Sequence, residues 1–278
     1  MIDLHTHSNV SDGSDAPARI AELAAAAGCT AFSLTDHDRL DGQGEAGRRA
    51  AELGLALVPG CEISCEWPAT FHLLVYFVEA GAGTPMETEL ADLQRARDDR
   101  NGVMIEHLQR LGLPVTMEEV AAEAGGVGIG RPHVAAVLVR NGAVSSVQEA
   151  FDVWLAKGRP GYVDKRRLHP DEALRVALES GGVPVVAHPL SLGLEPAGLD
   201  RTLGELAALG LAGMECIYGR YTPEERAGLA DLARRHDLVV TGGSDHHGTY
   251  KPDLTVGTGR GDLDVPDSVV ADLEARRN

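Results

Sequence analysis

The feature of this sequence that most constrains its fold is a repeated alternation of short apolar segments and helical segments. Near the N-terminus, residues 18–27 have a helical pattern that ends at Gly28, and residues 31–34 form a short apolar strand. The same alternation returns between residues 171 and 241. Repeated strand–helix units predict a parallel sheet, and about seven of them closed around an axis would form a barrel. An open, doubly wound sheet is the alternative architecture.

Histidines and carboxylates stand at the ends of the predicted strands. The residues concerned are His5, His37, Glu62, His188 and Asp245, which are far apart in the sequence. Closure into a barrel brings the carboxyl ends of the strands together on one face, so these residues favour the barrel. Neutral imidazoles and carboxylates are ligands of Zn, Mn and Fe ions. The pattern therefore predicts one metal site built from several strand ends.

Two further histidine signals come from the strands themselves. His5 and His7 are two residues apart, so in a strand their side chains point the same way and can bind one ion. His72 lies inside the near-continuous apolar run of residues 71–77. A lone histidine in such a run is more often a core residue than a ligand, and from the run alone both interpretations of His72 stay open.

The strand pattern stops between residues 81 and 162, where the sequence becomes helical. One long helix is predicted from Glu87 to Leu111, and both Thr116-x-x-Glu119 and Ser145-x-x-Gln148 have the pattern of capping boxes. We therefore expect residues 81–162 to form a helical, substrate-binding subdomain inserted into a catalytic barrel domain. That barrel domain would comprise residues 1–80 and 163–278.

A possible anion site lies within this insertion. The glycine-rich residues 125–130 lead into Arg131-Pro132-His133 at a predicted helix start. The glycines alone match no nucleotide-binding fingerprint, because no strand precedes them and no lysine stands at the required place. Backbone amides and the helix dipole at a helix start do favour an anion, so Arg131 and His133 are candidates to bind one.

The composition bears on partners and location. No apolar run approaches the roughly 20 residues of a membrane-spanning helix, and the formal net charge of −17 argues against binding to duplex nucleic acid. Small phosphorylated molecules stay compatible, because cations bound in a cleft reverse the local field. No secretory segment is recognisable, so a cytoplasmic location is expected.

Four cysteines are expected to be buried reduced thiols: Cys29, Cys61, Cys65 and Cys216.

The motifs of this sequence resemble those of the polymerase-and-histidinol-phosphatase (PHP) superfamily of metal-dependent phosphoesterases. In chain order they are His5-Thr6-His7, Ser11-Asp12-Gly13, Thr35-Asp36-His37, Gly60-Cys61-Glu62-Ile63, His72, Ala187-His188-Pro189 and Gly243-Ser244-Asp245-His246-His247. The insertion resembles the branch that contains 3',5'-nucleotide bisphosphate phosphatases and RNase AM, through residues 130–135 and 151–163. The resemblance implies an α/β fold, a distorted (β/α)7 barrel of the PHP type with an inserted helical subdomain.

The resemblance also implies a centre of three divalent ions, of Mn, Zn or Fe, and a role for each ligand. The first ion would have His5, His7, Glu62 and Asp245, the second Asp12, His37 and His247, and the third Glu62, His72 and His188. Glu62 would thus bridge two ions, while His246 takes the non-ligand position of its motif. Asp36 is a candidate to orient a ligand histidine, with a turn cap as the alternative.

Positively charged residues complete the site that the resemblance implies. Arg131 and His133 resemble a phosphate clamp, and Lys157 and Lys165 are further substrate-binding candidates unless they are solvated surface residues. The residues expected to act in catalysis are Asp12, His37, Glu62, Asp245 and Arg131. A general acid is not assigned.

The function implied is hydrolysis of phosphomonoesters of small nucleotides by a metal-activated hydroxide. The expected substrate is a 3',5'-bisphosphonucleotide, which would lose its 3'-phosphate and leave an AMP-like product and phosphate. Trimming of short oligonucleotides from the 5' end is a further expected activity. Histidinol phosphate phosphatase is the alternative enzyme, which would need a site for a cationic amine. A non-catalytic nucleotide-binding protein is the other alternative, and a missing ligand would have indicated it.

Overall fold

The structure is a computed structural model that describes residues 1–125 and 128–277. Its strands are β1 (Ile2–Thr6), β2 (Ala31–Leu34), β3 (Ala56–Leu57), β4 (Gly60–Cys65), β5 (Phe71–Tyr76), β6 (Val183–Val186), β7 (Gly213–Tyr218) and β8 (Val239–Gly243). Its helices are α1 (Pro17–Ala26), α2 (Gln43–Leu53), α3 (Pro85–Arg110), α4 (Met117–Glu123), α5 (Arg131–Arg140), α6 (Val147–Ala150), α7 (Pro170–Glu179), α8 (Pro196–Ala208), α9 (Pro223–Arg235) and α10 (Ser268–Glu274). Gly126 and Val127, in the predicted glycine-rich loop, lie outside the described residues.

The strands form two sheets of a mixed α/β fold. The smaller sheet has the order β1-β2-β3 and is parallel. The larger has the order β4-β5-β6-β7-β8, in which β6, β7 and β8 are parallel while β5 runs antiparallel to both its neighbours. The prediction of a wholly parallel sheet is therefore wrong at β5. Only residues 66–70 join β4 to β5, and parallel strands need a much longer crossover.

Isolated backbone bridges connect the two sheets beside the predicted ligands. Thr6, at the end of β1, pairs with His246 just beyond β8, and His37, beyond β2, pairs with Glu62 in β4. The amide of Asp245 also donates a hydrogen bond of 2.8 Å to a carbonyl of β1. Main-chain hydrogen bonds thus hold together segments that are far apart in the sequence.

Two predicted ligands occupy different places along their strands than expected. His5 is the fourth residue of β1 and Glu62 the third residue of β4, so neither follows a strand end. Glu62 lies inside a strand because Pro59-Gly60 leads directly into β4 instead of forming a loop after β3. Its neighbours in β4, Cys61 and Ile63, are fully buried. His37 and His188 do follow β2 and β6, and Asp245 follows β8.

Helix α3 packs in two cores at once. In its first half, Met86, Leu90 and Leu93 belong to the core beneath β4 and β5. In its second half, Met104 and Ile105 belong to a separate core. Helices α4 to α6 form that second core with α3. The polar middle of α3 consequently lies where the helical region meets the sheet.

The local signals in the insertion have mixed outcomes. Thr116 and Glu119 form the predicted capping box of α4. The second predicted box is wrong, because Ser146 rather than Ser145 caps α6, its Oγ accepting from the amide of Glu149 at 3.1 Å. The four cysteines are buried and free, as expected. Among residues 1–125 and 128–277, no helix has the length and apolar character needed to cross a membrane.

Candidate metal centre and its cavity

All nine predicted metal ligands come together in the structure. They form four overlapping groups, and within each group the candidate ligand atoms lie within 4.8 Å of one another. The groups are His7, Asp12, His37 and His247; His5, His7 and Asp245; His5, Glu62 and His188; and His37, Glu62 and His72. His7 therefore lies near Asp245, as its expected ligand set implies, and also near Asp12, with which no expected set grouped it.

Glu62 stands in the middle of the cluster, with its two oxygens turned to different histidines. Oε1 lies 2.9 Å from Nδ1 of His72 and 3.1 Å from Nε2 of His188. Oε2 lies 3.1 Å from both His7 Nε2 and His37 Nδ1. A carboxylate on a buried strand is held rigidly, so β4 fixes a group that two ions can share.

Asp12 and Asp245 supply the remaining carboxylates from loops. Asp12 Oδ1 is 3.3 Å from Nε2 of His247, and Asp12 Oδ2 is 3.7 Å from Nε2 of His37. Asp245 Oδ1 lies 3.5 Å from Nε2 of His7. Asp245 has a backbone φ of 57°, a left-handed conformation that is uncommon for a residue with a side chain. Such strain is typical of functional sites.

The hydrogen bonding of the histidines fits bound cations. Nδ1 of His37 and of His72 lie close to Glu62, yet neither contact has hydrogen-bond geometry, and both nitrogens are buried without a partner among the described residues. Nδ1 of His7 is unpartnered in the same way. Nε2 of His5 and Nε2 of His7 face each other at 3.1 Å. Lone pairs that converge in this way suit a shared divalent ion.

The protonation states also suit ligands. Burial lowers the pKa of His7 well below its ordinary value and that of His37 to about 4, so both rings are neutral at pH 7. Burial alone would raise the pKa of Glu62, but His72, His37 and His5 together hold it well below its usual range. Neutral His7 and His37 beside an ionised Glu62 are in the forms that bind metals. At His5, burial alone would lower the pKa, but Glu215, Glu62 and Asp245 together raise it well above its ordinary value.

Glu215 is a buried acidic residue that the sequence reasoning missed. It lies in β7, where its Oε1 is 2.9 Å from Nδ1 of His5 and its Oε2 accepts a hydrogen bond of 2.7 Å from the amide of His188. It therefore fixes the orientation of the His5 ring from behind. A signal was present, since an acid in the middle of the apolar segment of residues 213–217 is unusual in a buried strand.

Asp36 and His246 contact other groups. The Asp36 carboxylate accepts hydrogen bonds from the Ser8 amide at 2.8 Å and from the hydroxyls of Ser8 and Ser11 at 2.7 and 2.6 Å. It thus caps the loop that carries Asp12, which is the alternative role considered for it. His246 uses both ring nitrogens outside the cluster, with Nδ1 2.7 Å from the Leu254 carbonyl and Nε2 2.9 Å from Asp15.

A cavity of about 550 Å³ opens beside the cluster. Four candidate ligands line it: Asp12, His37, His72 and His247. Its lining also includes eight positively charged residues: Arg97, Arg100, Arg131, Lys157, Lys165, Arg167, Arg220 and Lys251. One of them, Lys251, lies 2.6 Å from Oδ2 of Asp245. The cavity therefore brings several cations together with the candidate ligands.

Three of the four predicted phosphate-binding residues line this cavity. Arg131, at the start of α5, lies over the rings of Phe151 and Tyr162 at 5.9 and 5.7 Å. Lys157 is at the rim, with its Nζ 3.4 Å from the Trp67 carbonyl. His133 is not among the described lining residues; it is buried, and its Nδ1 accepts a hydrogen bond of 3.0 Å from the Gly130 amide at the start of α5.

Lys165 is the third residue, and it is not a solvated surface lysine. Its side chain is buried, and its Nζ lies 2.8 Å from Asp38 Oδ2. Arg97 contacts the same oxygen at 2.6 Å, while Oδ1 of Asp38 accepts a hydrogen bond of 3.1 Å from the Ser64 amide. Burial alone would raise the pKa of Asp38, but Lys165 and Arg97 hold it well below its usual range.

Comparison with known proteins agrees with this geometry. The family described as "PHP domain" matches residues 3–109. The 5'-3' exoribonuclease Rnm of Escherichia coli is 32% identical over 250 residues, which cover 89% of this chain and 85% of that protein. The 3',5'-nucleoside bisphosphate phosphatase of Chromobacterium violaceum is 31% identical over 256 residues, covering 88% and 87%.

A solved structure extends the likeness over the entire chain. It is that of a candidate metal-dependent phosphoesterase from Bifidobacterium adolescentis, which superposes with a TM-score of 0.87 at 30% identity. The match covers 100% of this chain and 96% of that one. The fold described above is therefore shared with that protein over the whole of this chain.

Proposed function

Because the chain belongs to the PHP family of metal-dependent phosphoesterases, we propose that it removes the 3'-phosphate from 3',5'-bisphosphonucleotides. The observation that carries the proposal is the cavity, which is lined both by members of a histidine–carboxylate cluster and by several arginines and lysines. A substrate with two phosphates matches such a cavity, since one phosphate can meet the cluster and the other the cations. The similarity to a bisphosphate phosphatase over 88% of the chain supports the same substrate.

We assign the nine clustered residues as ligands of three divalent ions. The ligand sets are His5, His7, Glu62 and Asp245; Asp12, His37 and His247; and Glu62, His72 and His188. The two differently directed oxygens of Glu62 support its bridging role. When bound, the ions supply a water of lowered pKa as nucleophile and neutralise charge on the phosphoryl group.

The chain's own residues bind and orient the substrate. Arg131 offers a planar guanidinium to the phosphoryl oxygens, and the rings of Phe151 and Tyr162 hold it in place. Lys157 adds a charge at the rim. His133 supports Arg131 indirectly by capping the start of α5. Charge stabilisation of this kind is the main contribution that a protein makes to phosphoryl transfer.

The finer architecture is part of the same proposal. We assign the two sheets as one distorted barrel, supported by the bridges from Thr6 to His246 and from His37 to Glu62. We assign residues 81–162 as the substrate-binding subdomain, supported by the cavity residues Arg97, Arg100 and Arg131 that it contributes.

A second candidate activity is removal of nucleotides from the 5' end of short RNA. The similarity to an exoribonuclease over 89% of the chain favours it. It requires the same metal ligands, but it cleaves a phosphodiester and needs room for the rest of the strand. Both activities are compatible with one site.

A substrate panel on one metal-analysed preparation tests the proposal. The panel comprises a 3',5'-bisphosphonucleotide, a nucleoside monophosphate, histidinol phosphate and a short 5'-phosphorylated RNA. We expect the highest kcat/KM with the bisphosphonucleotide. A higher kcat/KM with histidinol phosphate would overturn the substrate assignment, and preference for the RNA would make the second activity the principal one.

A further inference from the structure

Helix α3 has polar residues at three positions of its buried face. The apolar residues of that face lie before and after them: Met86, Leu90, Leu93, Met104, Ile105 and Leu108. Between these two groups the buried positions are taken by Arg97, Arg100 and Asn101. Polar groups in such positions are unfavourable unless they have partners, so each of the three calls for an explanation.

Two of these residues have protein partners and one has none. Arg97 pairs with Asp38 at 2.6 Å, and Nδ2 of Asn101 donates to the Ile129 carbonyl at 2.9 Å. Arg100 is only 6% exposed, and it takes part in none of the side-chain hydrogen bonds or ion pairs found among the described residues. Its Nε is fully buried without a partner. A buried charge that lacks a partner is strongly unfavourable, and an anionic ligand is what would relieve it.

The surroundings of Arg100 are themselves positive. Burial, and then the charges of Arg97, Arg131 and Arg167, lower the pKa of Arg100 to about 9. Arg100, Arg131 and Arg167 all line the cavity. Arg167 has one carboxylate neighbour, Asp164, which is largely exposed and so compensates little charge inside the cavity.

Arg131 neighbours both the candidate metal ligands and the other cavity arginines. Tyr162, Arg167 and the candidate metal ligand Asp12 are all among its charged neighbours, and its guanidinium lies 5.7 Å from the Tyr162 ring. Tyr162 is also a neighbour of Arg100, and its hydroxyl is 3.4 Å from Arg167 Nη2. The three arginines therefore share Tyr162 as a neighbour, and Arg131 in addition has Asp12.

We propose that Arg100 and Arg167 bind the second phosphate of the substrate, the one that is not hydrolysed, with Arg131 between the two phosphates. The inference rests on the proposed function, which it deepens by naming the residues that select a doubly phosphorylated substrate. A phosphate dianion suits this position because two guanidinium groups can each donate two parallel hydrogen bonds to it.

Kinetics with paired substrates test the assignment. We compare kcat/KM for a nucleoside 3',5'-bisphosphate with that for the nucleoside 3'-monophosphate in wild type, Arg100→Met and Arg110→Met. Arg110 is exposed on the same helix, so its substitution is the matched control. We expect the ratio of the two values to fall about 100-fold in Arg100→Met, as loss of charged hydrogen bonds implies, and to stay at the wild-type value in Arg110→Met. An unchanged ratio in Arg100→Met would overturn the assignment.

Phosphate binding without metal separates this inference from the proposed function. In metal-free protein, we expect inorganic phosphate to raise the melting temperature of wild type and Arg110→Met by clearly more than that of Arg100→Met, in which only the other cavity cations, such as Arg131 and Lys157, would bind it. Without phosphate, Arg100→Met should melt no lower than wild type, because it removes an unpaired buried charge. If Arg100→Met does not fold, Arg100→Lys is the second variant, which keeps the charge but lacks the planar guanidinium. Phosphate should raise its melting temperature by less than that of wild type.

A negative result in one experiment can be told apart from a negative result in the other. If metal-loaded wild type hydrolyses neither nucleotide, the proposed function is contradicted. The phosphate-binding experiment then tests by itself whether Arg100 belongs to an anion site. Equal stabilisation of wild type and Arg100→Met by phosphate would overturn the site, whatever the substrate proves to be.

Discussion

Glu62 is the residue on which the candidate metal centre depends most directly. Its carboxylate lies within 3.3 Å of five imidazole rings, those of His5, His7, His37, His72 and His188. The positions of those rings depend in turn on residues behind them. Glu215 is such a residue behind His5, and Asp38, which follows His37, holds two cavity cations instead. Both lead to predictions for single side chains.

The substitution Glu215→Gln is expected to weaken metal binding. Glutamine keeps the size of the side chain but loses the charge that orients and polarises His5 across a 2.9 Å contact. Changes of this kind behind a ligand typically lower metal affinity by about 10- to 100-fold. Titration of metal-free protein with Mn or Zn measures the effect, with the exposed Glu205→Gln as control. Equal affinity in Glu215→Gln and wild type would remove Glu215 from the centre.

The substitution Asp38→Asn is expected to destabilise the protein by about 3–5 kcal/mol, because it leaves Arg97 and Lys165 as buried charges without their carboxylate. The folded-state pKa of Asp38 lies below its unfolded value near 3.9. Its carboxylate therefore stabilises the fold above about pH 4, and that contribution is lost as the pH falls towards the folded-state pKa.

Urea unfolding of metal-free protein measures this difference. The gap in the free energy of unfolding between wild type and Asp38→Asn should be fully present at neutral pH and should shrink below about pH 4. The exposed Asp231→Asn, which loses only a surface pair with Arg234, is the control and should match wild type throughout. A gap that widens in acid would show that the sign assigned to Asp38 is wrong.

The sequence predicted the side chains that converge in the cluster but not those behind them. Histidines and aspartates near strand ends form recognisable motifs, and all nine predicted ligands lie in the cluster. Glu215 and Arg100 are single residues within apolar patterns, and without a fold nothing shows what they face. The feature that could have indicated them is a charged residue at a buried position. Glu215 lies in the strand of residues 213–217, and Arg100 lies on the buried face of α3.

At the scale of elements, the close approach of β1 and β8 positions the centre. A Cβ on Gly243 would lie 2.5 Å from the backbone nitrogen of His5 and 2.4 Å from its Cβ. Only glycine leaves room for the two strands to meet there. This contact sets the distance between His5, on β1, and Asp245, two residues beyond Gly243.

The substitution Gly243→Ala is therefore expected to separate the two strands. Overpacking of this kind costs roughly 1–3 kcal/mol, and the displacement should also weaken metal binding. Gly102→Ala is the matched control, since a Cβ there meets no atom within 4 Å, and in a helix it should be neutral or stabilising. Chemical unfolding and metal titration of both variants give the comparison. Wild-type stability and affinity in Gly243→Ala would show that the close approach is not required.

The elements themselves were largely predictable, and the directions of the strands were not. The helix predicted at 87–111 is observed at Pro85–Arg110, and the strand at 31–34 is observed as predicted. An apolar run has the same pattern in either direction, and Glu62 was expected after the end of a strand rather than inside β4, so the short β4–β5 connection was not recognised. Strand direction depends on the length of the connection, and the sequence between Cys65 and Phe71 gave no strong turn signal.

At the scale of the whole molecule, charge is distributed unevenly. The chain carries a formal net charge of −17, yet several arginines and lysines line the cavity beside the cluster. The overall charge therefore says little about the ligand, because a buried site responds to nearby charges far more than to distant, screened ones. An acidic protein can in this way present a local site for a phosphorylated substrate.

We propose that the clustered residues bind metal ions that are required for phosphate removal. The most direct measurement is release of phosphate from a 3',5'-bisphosphonucleotide by wild type and His37→Ala, each after metal removal and after reloading with quantified Mn or Zn. We predict that only reloaded wild type turns over, with His37→Ala slower by at least about 1,000-fold and containing less metal. Near-normal turnover by metal-free wild type, or by His37→Ala, would contradict the account.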